Sequence, residues 1–444
     1  MFTRLLPLVF IASFSINACA APTKAPNATP NAAAGTPNPA LPAPISQAPV
    51  LQQAQASTAV QTPAAQLTQS QRFERWKKDF MAEALAKGYD IKLVGPLIAP
   101  AKINKLALDR DSKQPEFSRP IWAYVDGAVS ADRLNKGKGK LAAHKADFNK
   151  VTALYPVDRN ILTAIWGLES SYGRIQGDHN IVDALATFAF EGRRQKFGTE
   201  QLYAVLDMLR RGDIRTDQLT GSWAGAMGMT QFIPATFRDY AVDMDGDGNK
   251  NLWGSEQDAL GSAAHYLARH GWRAVEPVAT EIRLPSHFDY GHADGTKKSI
   301  AEWAALGALP IDGRNWSQAA KTLEARLLVP AGHRGPKLLA FKNFDVIMKY
   351  NRSTSYALGI TSLASGYKGQ TLIRTPWPRS DDPLSYNDKK AMQRKLTSLG
   401  YDTGGVDGKI GPNSRKAIRA WQSSQGLPAD GYMEQTLFKR LMGR

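Results

Sequence analysis

The 444-residue sequence contains a single cysteine, Cys19, so no disulfide bond can form within the chain. It also lacks the His-Glu-x-x-His pattern of zinc enzymes, a phosphate-binding glycine-rich loop and a nucleophile elbow. The formal net charge is +16, yet no run of Lys and Arg carries interleaved aromatic residues. The sequence therefore argues against zinc chemistry and nucleic-acid binding. The positive charge suggests binding to an anionic lipid surface or to the peptide-bearing cell wall, and simple solubility is the alternative.

Long apolar runs are scarce, and the one at the N-terminus is short. Residues 5–16 follow Arg4 and are apolar, but they are too few to span a bilayer as a mature helix, which predicts an export signal. Residues 16–19 then resemble a lipoprotein processing site, and Cys19 is the predicted site of lipidation. Since no Asp follows Cys19, this resemblance implies a periplasmic protein anchored to the outer membrane. Ordinary cleavage after residues 18–20, giving a soluble periplasmic protein, is the alternative.

Composition divides the rest of the chain. Residues 20–71 are rich in Ala, Pro, Thr, Asn and Gln, with Lys24 as the only charged residue, and such a segment cannot bury enough apolar surface to fold. Helical spacing of apolar residues dominates from there to about residue 375, with strand-like patches at 278–284 and 326–330. We therefore predict an α+β protein that is mostly helical. The predicted units are a signal peptide (1–19), a tether (20–71), a main body (72–375), a linker (376–384) and a C-terminal unit (385–444).

The C-terminal unit contains a short internal repeat. Two Asp-Gly turns, at 407–408 and 430–431, each precede a predicted helix, and an earlier helix at 388–399 completes a three-helix bundle. No plausible acid, nucleophile or metal cluster occurs in this unit. The pattern favours a binding module, and a stabilising appendage is the alternative.

The most informative segment of the main body is 161–173, which reads ILTAIWGLESSYG. It predicts an apolar helix capped by Asp158 or Asn160 and stopped by Gly173. Glu169 shares a face of this helix with Trp166, so burial and the negative end of the helix dipole are expected to raise its pKa. A protonated carboxylic acid of this kind is what a glycosidase uses to protonate a departing sugar oxygen.

A second segment, residues 221–234, reads GSWAGAMGMTQFIP. Its small residues allow the backbone to approach a ligand closely. Ser222 and Gln231 offer hydrogen bonds without charge, as suits sugar amides and hydroxyls. A run of Gly, Ala and Met alone is more typical of helix packing, but its combination with the Glu169 helix is far more specific.

These two segments together resemble the lytic murein transglycosylases of the B type, which are membrane-anchored enzymes with a lysozyme-like core. Residues 385–444 resemble the small peptidoglycan-binding domains that are often fused to such enzymes. The resemblance covers most of residues 72–375. It also includes residues 114–117 (QPEF), Trp122 with Tyr124, residues 183–187 (DALAT), Arg193 with Arg194, Tyr350 with Asn351, and Ser355 with Tyr356.

The resemblance implies cleavage of the bond between N-acetylmuramic acid and N-acetylglucosamine, with a 1,6-anhydro end as product. It gives Glu169 the role of acid and then base, without a cofactor. It implies that Ser222 and Gln231 orient the N-acetyl group of the substrate, and we expect a monomer that binds glycan strands. Three tyrosines, Tyr124, Tyr350 and Tyr356, are expected to line the cleft, and Arg193 and Arg194 to meet lactyl or peptide carboxylates. A hydrolytic muramidase and a non-catalytic wall-binding scaffold remain as alternatives.

Residues 243–251, DMDGDGNKN, have the pattern of an EF-hand calcium loop. Asp243, Asp245 and Asp247 stand at ligand positions, and Asn249 would contribute its backbone carbonyl. Position 12 of the loop is Gly254 instead of Glu, and the resemblance implies a longer loop that Asp258 closes, with Glu256 as a near alternative. The expected role of calcium is structural. A polar Asp-Gly turn without an ion is the alternative.

Overall fold

Helices dominate the structure, a computed structural model that describes residues 67–113 and 119–444. The predicted signal peptide, Cys19, most of the predicted tether and the QPEF segment lie outside these residues. Within the described part, no helix combines the length and the apolar character needed to cross a membrane. The helices of the main body are α1 (Gln69–Ala86), α2 (Ile91–Ile98), α3 (Lys105–Lys113), α4 (Ile121–Ala128), α5 (Ala131–Ala143), α6 (Lys145–Leu154), α7 (Arg159–Ser170), α8 (Ile181–Phe190), α9 (Gln195–Arg211), α10 (Pro234–Tyr240), α11 (Glu256–Arg269), α12 (Ile300–Ala305), α13 (Lys342–Tyr350) and α14 (Thr354–Tyr367).

Strands form two small sheets. A two-stranded antiparallel sheet pairs His179 with Gly221, and a five-stranded antiparallel sheet has the order β4-β6-β7-β3-β5. The predicted strand-like patches correspond to β3 and β6 of the larger sheet. The strands are β1 (His179–Asn180), β2 (Thr220–Gly221), β3 (Ala279–Arg283), β4 (Lys297–Ser299), β5 (Leu309–Pro310), β6 (Glu324–Leu328) and β7 (Lys337–Ala340).

Helix α7 lies at the centre of the main body, and it packs against α5, α11 and α14. Its residues from Ile161 to Ser170 are all buried, as expected of a helix that is apolar on nearly every side. Of the two predicted caps, Asp158 is confirmed, because its Oδ1 accepts a hydrogen bond of 2.8 Å from the backbone N–H of Asn160. The central position of α7 fixes where Glu169 lies.

The C-terminal unit has three helices, α15 (Tyr386–Ser398), α16 (Pro412–Ser424) and α17 (Gln435–Leu441), around its own apolar core. The predicted internal repeat has a structural basis. Gln393 of α15 donates to Asp407 and accepts from the N–H of Gly408, and Gln422 of α16 makes the same pair of bonds with Asp430 and Gly431. Each Asp-Gly turn is therefore fastened by a buried glutamine of the preceding helix.

Candidate active site

Glu169 lies at the C-terminal end of α7, and its side chain is 5% exposed. The hydroxyl of Tyr356, near the N-terminus of α14, donates a hydrogen bond of 2.7 Å to Glu169 Oε1. Burial is the main cause that raises the pKa of Tyr356 well above its ordinary value, and the nearby Glu169 and Tyr350 add to it. Tyr356 is therefore a neutral donor at every physiological pH, and it holds one oxygen of the carboxylate in place.

The chain turns sharply directly after Glu169. Ser171 and Tyr172 have φ values of 55° and 61°, and Gly173 follows at 83°. The left-handed turn predicted at Gly173 thus begins two residues earlier, at Ser171. For Ser171 and Tyr172 this backbone conformation costs about 1–2 kcal/mol each. Ser170 Oγ accepts a bond of 2.9 Å from the N–H of Gly173, which ties the turn back to the helix.

Tyr172 is a residue that the sequence analysis did not single out, although it stands within the 161–173 segment. Its hydroxyl donates to the carbonyl of Arg133 at 2.6 Å and lies 2.8 Å from the hydroxyl of Tyr367. A Cβ atom at Gly167 would come within 2.7 Å of the Tyr172 ring, and one at Gly137 within 2.3 Å of the Tyr367 ring. Two glycines therefore make room for the tyrosine pair that fixes the turn.

Tyr350 joins the Glu169 region to the 221–234 loop. Its ring is nearly parallel to that of Tyr356, with 6.5 Å between ring centroids and 7° between planes. Its hydroxyl donates to the carbonyl of Thr230 at 2.5 Å. The structure thus places the second sequence segment next to the first, with two buried tyrosines between them. Tyr350 is 4% exposed and Tyr356 is 2% exposed, and their predicted place along the cleft stays a prediction.

Ser222 and Gln231, the other predicted substrate-binding residues of this loop, are buried and bonded to backbone. Ser222 Oγ accepts from the N–H groups of Ala224 and Ala226, at 3.3 and 3.0 Å. Gln231 has a φ of 51°, and its Nε2 donates to the carbonyls of Gln176 and Gly228, at 3.0 and 2.9 Å. Each of these side chains therefore shapes the loop.

Tyr124 lies on α4, close to the same tyrosines. A Cβ atom at Gly359 would come within 3.0 Å of the Tyr124 ring, and Gly359 follows Tyr356 on α14 by three residues. The charge that Tyr124 would carry if ionised also contributes to the raised pKa of Tyr356. The structure thus gathers Glu169, Tyr356, Tyr350 and Tyr124 in one region.

Arg193 and Arg194 are engaged elsewhere. Arg193 Nε and Nη2 donate to the two carboxylate oxygens of Asp111, at 2.8 and 2.9 Å, and Arg194 Nη1 lies 3.5 Å from Oδ1. The Arg194 guanidinium also lies 4.2 Å from the centre of the Phe197 ring. Asp111, which the sequence analysis missed because it is 82 residues from Arg193, thus neutralises the charge expected for substrate carboxylates.

The predicted calcium ligands converge only in part. Carboxylate oxygens of Asp243, Asp245 and Asp258 lie within 4.8 Å of one another, and Asp247 is not in this group. Asp258 is fully buried, and it accepts bonds of 2.7 Å from the N–H groups of Met244 and Asn251. Burial raises its pKa. Three converging carboxylates are oxygen donors of the kind that a hard cation prefers, so the donor set fits calcium.

Asp247 and Asn249, by contrast, serve the exposed part of the loop. Asp247 Oδ1 accepts a bond of 2.8 Å from the N–H of Asn249, and Asp243 accepts from the N–H groups of Gly246 and Gly248. The three converging carboxylates are therefore the best supported part of the predicted ligand set, the backbone carbonyl of Asn249 stays a prediction, and Glu256 occupies the first turn of α11.

A buried carboxylate at the end of an apolar helix, with a neutral tyrosine as donor in a mostly helical body, has the chemistry that a lysozyme-like glycan-cleaving enzyme requires of its acid. The profile of the family described as "Transglycosylase SLT domain" matches residues 72–365, and that of "Putative peptidoglycan binding domain" matches residues 385–441. The chain belongs to this transglycosylase family, with a peptidoglycan-binding domain at its C-terminus, and it is a lytic transglycosylase.

Relatives agree with this assignment. Membrane-bound lytic murein transglycosylase B of Escherichia coli K12 is 34% identical over 258 residues, which is 56% of this chain and 68% of the relative. SltB3 of Pseudomonas aeruginosa, solved in complex with NAG-anhNAM-pentapeptide, superposes with a TM-score of 0.81 at 45% identity, covering 83% of this chain and 99% of SltB3. Slt35 of E. coli, solved with calcium, gives a TM-score of 0.59 at 30% identity, covering 66% and 93%.

Proposed function

We propose that Glu169 is the single catalytic carboxylate of this lytic transglycosylase, and that it acts first as an acid and then as a base. The observation that carries the proposal is the bond of 2.7 Å from Tyr356 to Glu169 Oε1, at the buried end of α7.

The reaction then follows two steps. Glu169 gives its proton to the oxygen between N-acetylmuramic acid and N-acetylglucosamine, and the bond from that oxygen to C1 of the muramic acid breaks. The resulting carboxylate takes the proton of the muramic C6 hydroxyl, whose oxygen bonds to C1. No water is added, so the product carries a 1,6-anhydro ring and the enzyme regains its proton.

The electron-poor C1 between these steps needs stabilisation that a second carboxylate usually provides. We propose that the substrate's own N-acetyl group provides it. Ser222 Oγ accepts two N–H groups and still has a proton to donate, so Ser222, with Gln231, orients that N-acetyl group. Tyr124 contacts the saccharide beside them. Tyr350 and Tyr356 act by holding Glu169 and the loop in place.

Product mass tests the reaction type. Digestion of purified murein by the full-length protein is expected to release muropeptides that lack one water relative to hydrolysis products. Products with a free reducing end would support the hydrolytic muramidase instead. Complete absence of soluble products would support the wall-binding scaffold.

The two arginines differ in how well they are placed to contact the substrate. Arg193 is half-exposed beside Asp111, so it retains donors that a lactyl or peptide carboxylate can reach, whereas Arg194 is largely covered by aromatic rings. We therefore propose Arg193 as the substrate contact of the two. R193Q is expected to raise KM for peptide-bearing murein, and R194Q is expected to lower the melting temperature instead.

For calcium, we propose that Asp243, Asp245 and Asp258 hold the ion and that it stiffens the loop before α11. The ion would supply charge neutralisation among the three carboxylates and no step of the reaction. The solved structure of Slt35 of E. coli is a complex with calcium, and this supports the proposal.

We propose that the protein is a lipoprotein, attached through Cys19 to the periplasmic face of the outer membrane, with residues 20–71 as a tether. The description of the E. coli relative as membrane-bound supports an anchor. Labelled palmitate is expected to enter the wild-type protein and not the C19A variant. A C19A protein that keeps the label, or a wild type that never acquires it, would favour the soluble periplasmic alternative.

We also propose that the C-terminal unit directs the enzyme to the wall. Removing residues 385–444 is expected to reduce sedimentation with murein more than turnover of short glycans. Equal sedimentation by the truncated protein would contradict a targeting role. We further propose that the two folded units are residues 72–375 and 385–444, with residues 376–384 as the linker between them.

A further inference from the structure

Gln176 lies seven residues after Glu169, just beyond the left-handed turn. Its side-chain Nε2 donates hydrogen bonds to two backbone carbonyls, that of Gly173 at 3.0 Å and that of Trp253 at 2.9 Å. Gly173 belongs to the turn, whereas Trp253 is 77 residues from Gln176 in sequence. One amide group therefore joins the turn after Glu169 to the segment that precedes α11.

The backbone of Gln176 holds a third segment, the 221–234 loop. Its carbonyl accepts a hydrogen bond of 3.0 Å from Gln231 Nε2, which also donates to the carbonyl of Gly228. Gln231 has a left-handed φ of 51°, and a residue other than glycine keeps this conformation only when its surroundings stabilise it. The position of the Gln231 side chain therefore depends on the position of the backbone at Gln176.

The three segments pack closely around Gly173. Its φ is 83°, and a Cβ atom there would come within 3.2 Å of Met229 Sδ and 3.5 Å of Trp166 Nε1. Trp166 belongs to α7 and Met229 to the second sequence segment, and the N–H of Met229 donates to the carbonyl of Leu252 at 2.8 Å. Because the packing at this point is tight, the turn cannot shift without moving its neighbours.

Only the donor side of the Gln176 amide is paired. Its Oε1 is buried, and within residues 67–113 and 119–444 this oxygen has no hydrogen-bond partner. A buried acceptor without a partner is unfavourable, and this cost offsets part of the stability that the two donated bonds contribute. The side chain therefore fixes the relative positions of two backbone carbonyls at a small net gain in stability.

The turn is tied directly to the end of α7. Ser170 follows Glu169, and its carbonyl accepts from the N–H of Ile175 at 2.8 Å, while its Oγ accepts from the N–H of Gly173 at 2.9 Å. A displacement of Gly173 or Ile175 would therefore be passed to Ser170 and to the last turn of α7. Misplacement of a reacting group by about 1 Å can lower a rate by about 100-fold.

We propose that Gln176 is a positioning residue for the transglycosylase reaction, and that it holds the Glu169 carboxylate and the Gln231 side chain at a fixed relative position. The proposal rests on the proposed function, because it takes Glu169 as the acid and Gln231 as a residue that orients the N-acetyl group. Both groups act as the glycosidic bond breaks. Loss of the Gln176 amide therefore lowers kcat and leaves KM nearly unchanged, because binding of the intact substrate does not require this alignment.

The test measures kcat and KM of the full-length protein on a soluble murein tetrasaccharide. The side chain in Q176M keeps its length but loses both donated bonds, so kcat is expected to fall about tenfold or more while KM changes less than about threefold. Q201M is the matched control. Gln201 is a buried glutamine of α9, and its Oε1 accepts a bond of 2.9 Å from the N–H of Ala235 in α10. Q201M is expected to lower the melting temperature and to keep the wild-type kcat.

A wild-type kcat in Q176M, a loss confined to KM, or an equal loss of kcat in Q201M would overturn the positioning role. E169Q on the same tetrasaccharide tests the proposed function separately. An inactive E169Q beside a Q176M enzyme of wild-type rate would overturn the role of Gln176 and leave the catalytic acid in place. Should Q176M fail to fold by circular dichroism, Q176N decides the question, because its amide is one methylene too short to reach both carbonyls and the same loss of kcat is expected.

Discussion

The hydroxyl groups of Tyr172 and Tyr367 lie 2.8 Å apart, at the opposite end of α14 from the bond between Tyr356 and Glu169. Helix α14 thus contacts the end of α7 at two places, one at the Glu169 carboxylate and one at the strained turn that follows it. The second contact stabilises a backbone conformation that is unfavourable by itself. We therefore predict that Tyr172 and Tyr367 act as positioning residues for Glu169.

Y367F is expected to lower kcat without changing KM in proportion, because the turn after Glu169 loses part of its support while the substrate contacts remain. A loss of about 1 kcal/mol in the free energy of unfolding is expected as well. Steady-state kinetics and urea denaturation measure the two effects. Y386F, which removes a hydroxyl from an exposed tyrosine, is the control and should change neither. Equal kinetics for the two variants would rule out a positioning role.

Y356F removes the donor to Glu169 Oε1. We expect kcat to fall about 10-fold or more, because a charge-assisted hydrogen bond contributes about 1.5–3 kcal/mol and orients the carboxylate. The carboxylate that forms after proton donation loses this stabilisation, so the basic limb of the pH–rate profile, where the acid loses its proton, should move to higher pH. A Y356F enzyme with the wild-type rate and profile would show that the bond has no part in the reaction.

D158A tests the start of α7 and its dependence on pH. Burial acts to raise the pKa of Asp158, but hydrogen bonds from Lys368 and Asn160 outweigh it, and the pKa lies below its ordinary value. The stabilising contribution of a carboxylate with a lowered folded-state pKa is fully present above the unfolded pKa of about 3.9 and is lost as the pH falls through the folded-state value.

D158A is therefore expected to cost about 1 kcal/mol in the free energy of unfolding at pH 7, and this difference should shrink as the pH falls below about 4. Thermal denaturation across this range measures it. D178A, at an almost fully exposed position, is the control. A difference between D158A and wild type that is independent of pH would contradict the assigned role of the carboxylate.

Calcium is expected to raise the melting temperature of the wild-type protein, because an ion that binds only the folded state stabilises it by mass action. The rise should persist in D247N, whose carboxylate is outside the converging group, and disappear in D243N. Calorimetric scans with calcium and with a chelator provide the measurement. A melting temperature that does not respond to calcium in the wild type would mean that the acidic loop holds no ion.

The sequence predicted the architecture well where the signal was local. Asp158 follows from capping preference, α7 from its apolar run, and the two Asp-Gly turns from their composition. The short strands β4, β5 and β7 were missed because two to four residues leave too little alternation to detect. The early left-handed turn at Ser171 was missed because the residue type disfavours it, and the tertiary contacts of Tyr172 that help to stabilise it are not visible in the sequence.

The candidate site was predicted in its residue types but not in all of its contacts. Glu169 and Tyr356 are 187 residues apart in sequence, and only the packing of α14 on α7 brings them together. Arg193 and its partner Asp111, which lies in α3, are also far apart in sequence, so their contact was not predicted. Local chemistry therefore identified which residues to consider, and long-range packing decided which of them meet.

The central claim is that one carboxylate carries both proton transfers, and E169Q on purified murein tests it most directly. The amide keeps the size and can still accept a hydrogen bond from Tyr356, but it has no proton to give to the glycosidic oxygen. We predict that E169Q binds murein as the wild type does and releases no detectable 1,6-anhydro product. Release of that product by E169Q at a rate near that of the wild type would contradict the account.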